Sequence, residues 1–338
     1  MPANERIGLV GDIGGTNARF AMATLRDRQI HLSEVLALPG HDYPGLEAAA
    51  RDYLARTGQT RLDAAVFACA GPVVDGSVSF TNVAWRASEA SLATALGVPR
   101  VHLINDLAAV AWAAPVIPAE HLRRIAGPAN VTTPPPAAAT PSVSTRAVLN
   151  AGTGCNASAH VRHELGDAVV VGEFGHASFA PSDALELKIW QRLAAEFGHV
   201  SNERVLAGPG LLNLYRALAA IEGQAAVWAT PAEVSVASQT PDPLARRAVE
   251  TFCAIMGSIA GDVALTFGAR GGVYLAGGVA ATVLTEPHDT AFRQRFENKG
   301  RFRAYLAEIP TLLITDTNAA LLGAARAMQA YARRTPPP

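Results

Sequence analysis

Glycine turns and a small set of polar side chains are where this sequence could do chemistry. The stretch Leu9-Val-Gly-Asp-Ile-Gly-Gly-Thr-Asn17 breaks an apolar run at Gly11 and Asp12, and Gly14, Gly15, Thr16 and Asn17 follow at once. It reads as strand, tight turn, strand. Adjacent glycines let backbone N–H groups approach a ligand closely, and such a turn can cradle phosphate. Thr16 and Asn17 add side-chain donors, and Asp12 could hold Mg2+, directly or through water. An ordinary hairpin with a polar tip fits the same residues. Neither G-x-x-x-x-G-K-[ST] nor a helix-opening G-x-G-x-x-G is present, so a phosphate site on this hairpin needs partners elsewhere in the chain.

Those partners are turns at the ends of expected strands: Gly71-Pro72, Gly152-Thr153-Gly154 and Gly277-Gly278. Two separated Gly-Thr loops can grip opposite sides of a triphosphate. A Gly-Gly before a helix can admit the flat face of a nucleoside. Beside them stand Asn105, Asp106, Glu173, His176 and Glu196. Asn105-Asp106 reads either as a helix N-cap or as a ligand contact at a strand end. Glu173 and His176 read as a solvated loop or as a binding loop. Glu196 falls in the last turn of a helix, where the dipole disfavours a carboxylate, so either a ligand or plain exposure explains it. His199 reads as a helix-end residue.

Carboxylates, an amide and an imidazole suit a neutral polyhydroxylated molecule, because each carboxylate accepts from adjacent hydroxyls while His and Asn donate as well. No arginine cluster accompanies them, so a sugar fits better than a charged substrate. Phosphoryl transfer to a sugar hydroxyl needs positioning, a metal to neutralise charge, and a base for the hydroxyl proton. Asp106 is assigned as that base.

The elements that must position these residues follow from periodicity. Apolar runs predict strands over 7–10, 18–24, 30–38, 64–69, 101–104, 147–150, 168–171, 273–276 and 312–315, with a short hairpin arm over 76–81. Helices are expected after Pro44, over 88–96 between a Ser88 cap and a Gly97 stop, and from Asn105-Asp106 onward. Another follows Ser182, with Leu185, Ile189, Leu193 and Phe197 on one face. A long one spans about 244–267, where Gly257 and Gly261 share a face and allow close packing. Asn318 could cap a terminal helix. The Pro-rich stretch 127–145 reads as an exposed loop, and the tail from Arg333 as disordered. Three strands in succession, then alternating helix and strand, imply a mixed α/β sheet. Asp12, Gly71 and Asp106 stand at strand ends, where such sheets bind ligands.

Composition bounds the rest. At 338 residues and 49% hydrophobic, the chain should hold two domains. A net charge of −1 with scattered Lys and Arg lacks the footprint of a nucleic-acid binder. Cys69, Cys155 and Cys253 form neither a CxxC pair nor a zinc pattern, which suits a reducing cytoplasm. The start has no basic-plus-apolar leader, and no apolar run is judged long enough to span a membrane.

Taken in order, these motifs resemble the bacterial glucokinases of the non-repressor type, within the hexokinase, actin and heat-shock ATPase superfamily. Leu9 to Arg19 resembles the family's first phosphate loop, Ile104-Asn-Asp-Leu107 the segment of the catalytic aspartate, and Ala151-Gly-Thr-Gly154 the second phosphate loop. Gly172-Glu-Phe-Gly-His176 resembles the sugar-binding loop. Gly198-His-Val-Ser201 with Glu203-Arg-Val-Leu206 resembles the helix end beside it, and Gly272 to Gly278 the adenosine segment.

The resemblance implies an α/β, two-domain actin-like ATPase (ribonuclease H-like) fold around a ligand cleft. The small domain would hold 1–114 plus 317–338, and the large domain 115–316. It implies ATP-dependent phosphorylation of glucose at the 6-hydroxyl, with Asp106 as base and Asn105, Glu173, His176 and Glu196 on the other hydroxyls. Gly11, Gly14, Gly15, Thr16, Asn17, Gly152, Thr153, Gly154, Gly277 and Gly278 would surround ATP, and Asp12 would place Mg2+. A homodimer is usual in the family. Alternatives are a kinase of another hexose, such as mannose or an amino sugar, a different phosphate donor, or a non-catalytic sugar sensor.

Two positions depart from the family pattern. Asn156 stands where many relatives have a final loop glycine; asparagine tolerates a left-handed backbone better than most residues, so a working loop is expected, with ATP affinity open to change. Phe174 replaces a small residue, either narrowing the sugar site or packing beneath it.

Overall fold

A computed structural model describes residues 5–26, 29–80, 85–127, 144–164 and 166–334. Most of the Pro-rich stretch 127–145, and residues 335–338 of the tail, lie outside the described residues. The described residues of 1–117, 165–169 and 316–338 form one compact unit, and those of 118–164 and 170–315 form a second.

The first unit is built on strands β1 (Arg6–Ile13), β2 (Asn17–Arg26), β3 (Gln29–Pro39), β4 (Ala64–Cys69), the short β5 (Val73–Val74), β6 (Ser77–Ser79) and β7 (Arg86–Ser88), and β8 (Val101–Asn105). The main sheet has the order β3-β2-β1-β4-β8, and β5, β6 and β7 form a separate three-stranded sheet. β1 pairs antiparallel with β2 and parallel with β4, and β4 pairs parallel with β8. Alternate side chains of a strand face opposite ways, and both faces of this sheet are covered. Leu9, Ile13, Phe67 and Leu103 pack with Leu46, Tyr53 and Leu92 of the helices Leu46–Thr57 and Glu89–Leu96. Val10, Val66, Ala68 and Ile104 pack on the other face with Ala109, Trp112, Leu321 and Met328 of the helices Asp106–Ala113 and Ala319–Arg334.

The other large sheet holds β9 (Leu122–Ala126), β10 (Ser144–Ala151), β11 (Cys155–His163), β12 (Gly166–Val171), β13 (Val273–Ala276) and β14 (Thr311–Ile314), in the order β12-β11-β10-β13-β14-β9, and belongs to the second unit except for residues 166–169 of β12. β10 pairs antiparallel with β11 and parallel with β13, which pairs parallel with β14. Strands β10 to β14 thus repeat the order of the first sheet, and the β10–β11 hairpin stands where β1–β2 stands there.

The helix Pro243–Phe267 anchors the second core. By length and composition it could cross a membrane, which corrects the expectation that no such run exists; yet 72% of its apolar window is buried inside the protein, as a core helix requires. Its Gly257 and Gly261 meet the backbone of Phe292 and Phe296, so the helix Glu286–Glu297 lies directly against it. Buried Glu186 on the helix Ala184–Phe197 accepts from Arg295 and from the Ser182 amide, which offsets the cost of burying its charge.

Candidate functional site

In the first unit the site residues collect at the carboxyl ends of adjacent parallel strands. In register, Asp12 of β1 sits opposite Ala68 of β4, and Cys69 of β4 opposite Asn105 of β8. The chain then turns directly into the helix Asp106–Ala113. Asn105 is its N-cap: its side-chain oxygen accepts from the Leu107 and Ala108 amides at 3.0 and 3.2 Å. Its Nδ2 donates to the Gly71 carbonyl at 3.3 Å, tying the end of β8 to the turn after β4. The cap reading of Asn105 therefore holds, and among the described residues its second amide hydrogen meets no acceptor. Asp106 occupies the first helical position, where one carboxylate oxygen accepts from its neighbour Leu107 at 2.8 Å.

Asp12 is the electrostatically strained member. Burial, reinforced by the like charge of Asp106, raises its carboxyl above the ordinary aspartate value, and Arg19 opposes the rise. Arg19 faces Asp12 across the β1–β2 ladder and donates to the Thr317 carbonyl at 2.6 Å. A half-buried carboxylate with a like charge nearby is a position where a cation relieves repulsion. Mg2+ is usually held by one or two carboxylates with phosphate oxygens and waters, rather than by a cage of side chains. No cluster of three or more metal-ligating side chains occurs among the described residues, and Asp12, with Asp106 nearby, has the one or two carboxylates of that pattern.

The turn from β1 to β2 is closed by the Gly14 amide donating to Asn17 O at 3.0 Å, and the Gly40 amide donates to Thr16 O at 2.8 Å. Among the described residues, no acceptor takes the Gly15 or Thr16 amides. Backbone donors are normally paired, so these two are available to an anion. Gly11 lies within β1, while Thr16 and Asn17 are exposed at the tip.

The second unit repeats this device. In the turn Gly152-Thr153-Gly154 the Gly152 amide donates to Gly154 O at 2.9 Å, and among the described residues the Thr153 and Gly154 amides meet no acceptor. Gly277 backs this turn with a φ of +101°, and a Cβ there would lie 2.3 Å from Ala151 O. Only glycine can supply that backbone. Gly278 opens the next helix.

Glu173 and His176 share the turn Phe174–His176, in which the His176 amide donates to Glu173 O at 3.0 Å. Three side chains clamp this turn. His199 bonds the His176 carbonyl at 3.1 Å, Asn202 donates to Phe174 O at 3.2 Å, and the Asn156 side-chain oxygen accepts from Gly175 N at 3.4 Å. His199 thus braces the turn rather than simply ending a helix. Phe174 packs against the core of the unit, so it lies beneath the turn. Asn156 lies in extended β11 paired with Asn150 and is not among the positive-φ residues. The left-handed backbone that asparagine tolerates is therefore not used there.

Glu196 is not on this turn. Its helix turns its exposed face outward there, and Glu196 lines a surface groove with Lys188, Arg192, Asn213 and Arg216. The carboxylate beside the turn is Glu203. It accepts from the Cys155 amide at 2.9 Å and lies against Gly154. In the sequence Glu203 stands out only as the first residue of Glu203-Arg-Val-Leu206. Its spacing after His199 and Ser201 was the available signal.

All three cysteines are buried, and burial raises each thiol above its ordinary value. They are inert packing groups, not nucleophiles.

Comparisons with known proteins agree with this geometry. The glucokinase family model matches residues 9–331. A glucokinase from Chromobacterium violaceum is 43% identical over 318 residues, spanning 94% of this chain and 88% of that one. The crystal structure of a glucokinase from an Antarctic psychrotroph superposes with a TM-score of 0.88 at 34% identity, covering 96% of this chain and 99% of the other. A ROK family glucokinase from Streptomyces griseus, solved with glucose and AMPPNP, shares the fold with a TM-score of 0.60 at 18% identity, over 95% and 98% of the two chains. The two sheets of repeated order are those of the two-domain actin-like ATPases, and by the extent of these matches the chain belongs to the glucokinase family.

Proposed function

We propose that this chain phosphorylates glucose at its 6-hydroxyl with Mg-ATP as donor. The observation that carries the reading is the placement of Asp12 and Asp106 at the ends of β1 and β8, on either side of β4, close enough for the charge of Asp106 to raise the Asp12 carboxyl. In this reading Asp12 serves the cation and Asp106 takes the proton. When bound, Mg-ATP supplies the γ-phosphoryl group.

The residues of the chain do the remainder. Asp106 accepts the proton of the sugar 6-hydroxyl as that oxygen attacks phosphorus. Asn105, fixed by its capping bonds, offers its remaining amide hydrogen to the sugar. Glu173 and Glu203 accept from hydroxyl pairs, and His176 donates or accepts. Glu203 takes the role expected of Glu196. The free amides at Gly15, Thr16, Thr153 and Gly154 hold phosphate oxygens, as nests of N–H groups do. The buried thiols suit a reducing cytoplasm.

The test is ADP release from Mg-ATP across a panel of hexoses, with product identification and a no-sugar control. Glucose-dependent release of ADP with glucose 6-phosphate formed is the expected result. Release with another hexose alone would overturn the choice of sugar, and no sugar-dependent release would overturn the kinase reading.

Asp12 gives a prediction with opposite signs in stability and activity. Its carboxyl is raised in the folded state, so the folded chain holds this proton to higher pH than the unfolded chain does. Stability present below the ordinary aspartate value is then lost as pH rises through the folded value. At neutral pH its charge is a net cost in the absence of a cation. Asp12→Asn should therefore raise the Tm of the ligand-free protein by about 2 °C, while turnover at limiting Mg2+ falls about 10–100-fold. A Tm that falls in a thermal melt at pH 7 would show that the charge is compensated.

A further inference from the structure

Asn156 joins the end of the β10–β11 hairpin to the Glu173 carboxylate. Its Nδ2 donates to Glu173 Oε2 at 3.0 Å, and its Oδ1 accepts from the Ala157 amide at 2.8 Å and the Gly175 amide at 3.4 Å. Two backbone donors on one side-chain oxygen fix which way the amide points. Flipping it would set an NH2 group against two N–H groups. The donor facing Glu173 is therefore fixed by the fold. Glu173 itself is exposed, and Asn156 is the only side chain among the described residues shown to hold its carboxylate.

We propose that Asn156 is a positioning residue for sugar recognition. It holds one oxygen of Glu173 so that the other is aimed at adjacent hydroxyls of a hexose. The inference rests on the reading of the Glu173 turn as the sugar site. The physical reason is preorganisation: a free glutamate must give up rotamer freedom when the sugar binds, and one already hydrogen-bonded does not. Asn156 also follows Gly154 by two residues in the same hairpin. The phosphate turn and the sugar carboxylate are thereby parts of one rigid piece, and the departure from the family's glycine has a use.

The experiment measures hexose affinity by calorimetry on the full chain, alongside ADP release, for the wild type, Asn156→Ala and Asn156→Asp. Asn156→Ala should weaken glucose binding and raise its KM about tenfold or more, the loss typical of a hydrogen bond to a charged group. The KM for ATP should stay within about twofold and kcat should change far less than KM. Asn156→Asp keeps the acceptor for Gly175 and Ala157 but sets a second carboxylate against Glu173. Two carboxylates set against each other repel when both are charged, so the affinity of this variant for glucose should fall as pH rises, with His176, His199 and Glu203 the other titratable groups around the turn.

Unchanged hexose affinity in Asn156→Ala, or a pH profile of Asn156→Asp that parallels the wild type, overturns the proposal. A wild type that binds a hexose without turning it over overturns the kinase reading alone, and the Asn156→Ala affinity for that hexose then decides the proposal. A wild type that binds no hexose overturns both.

Discussion

Asp106→Asn is expected to lower kcat by about 10²–10⁴-fold, the usual contribution of a positioned general base. Glucose should still bind within about threefold of the wild-type affinity, because an interaction needed only for proton transfer leaves ground-state binding intact. The fold should tolerate the change. The Asn105 cap does not depend on residue 106, and an asparagine oxygen can still accept from the Leu107 amide. Loss of a negative charge in the first turn of the helix costs about 0.3–1 kcal/mol. Part of that returns as relief of Asp12, whose carboxyl is raised in part by Asp106. Asparagine offers an oxygen to the sugar hydroxyl but cannot hold its proton. Product formation reads kcat, and calorimetry with glucose reads affinity. Equal losses in both would make Asp106 a binding group and leave the reaction without its base.

The strand ends that carry this chemistry were legible because their signals are local. β4 runs over Ala64–Cys69 as its apolar run predicts, and the helix Glu89–Leu96 starts on a Ser88 capping box and ends at a left-handed Gly97. The close approach at Gly257 and Gly261 was also visible as two small residues on one helix face. β11 was not visible. Its sequence CNASAHVRH mixes small and polar residues, and Ser158 and His160 are buried within it. That burial is set by the flanking strands, which no local pattern reports.

Glu196 and Glu203 show the same limit at the site. The dipole argument marks Glu196 as unusual but does not say which way it points. Helical spacing does: Lys188, Arg192 and Glu196 recur every fourth residue and form one exposed stripe, while Ile189 and Leu193 are buried. Glu203 could be placed only by tertiary contact, through its bond to the Cys155 amide. Asn156 likewise gains meaning from a partner 17 residues away.

The turn that carries Glu173 and His176 makes the other large prediction. A Cβ on Gly175 would lie 1.8 Å from the Cys155 carbonyl oxygen and 2.9 Å from its carbon. Both atoms it meets are backbone, so no side chain can swing away to relieve the contacts. In Gly175→Ala the turn must lift off β11, which breaks the Asn156 contact to the Gly175 amide and moves Glu173 and His176 together. A misplacement of about 1 Å can cost 10²-fold in rate, and kcat/KM for glucose should fall by at least about that much. The overpacking itself should cost about 1–3 kcal/mol, read as a lower Tm. Gly172→Ala is the control within the same loop, because a Cβ there meets no atom within 4 Å and its φ is not positive. The control should retain wild-type Tm and change kcat/KM only slightly. Gly175→Ala with wild-type kcat/KM and a lowered Tm would separate the turn from sugar recognition, because the strain would then be present without a consequence for the substrate.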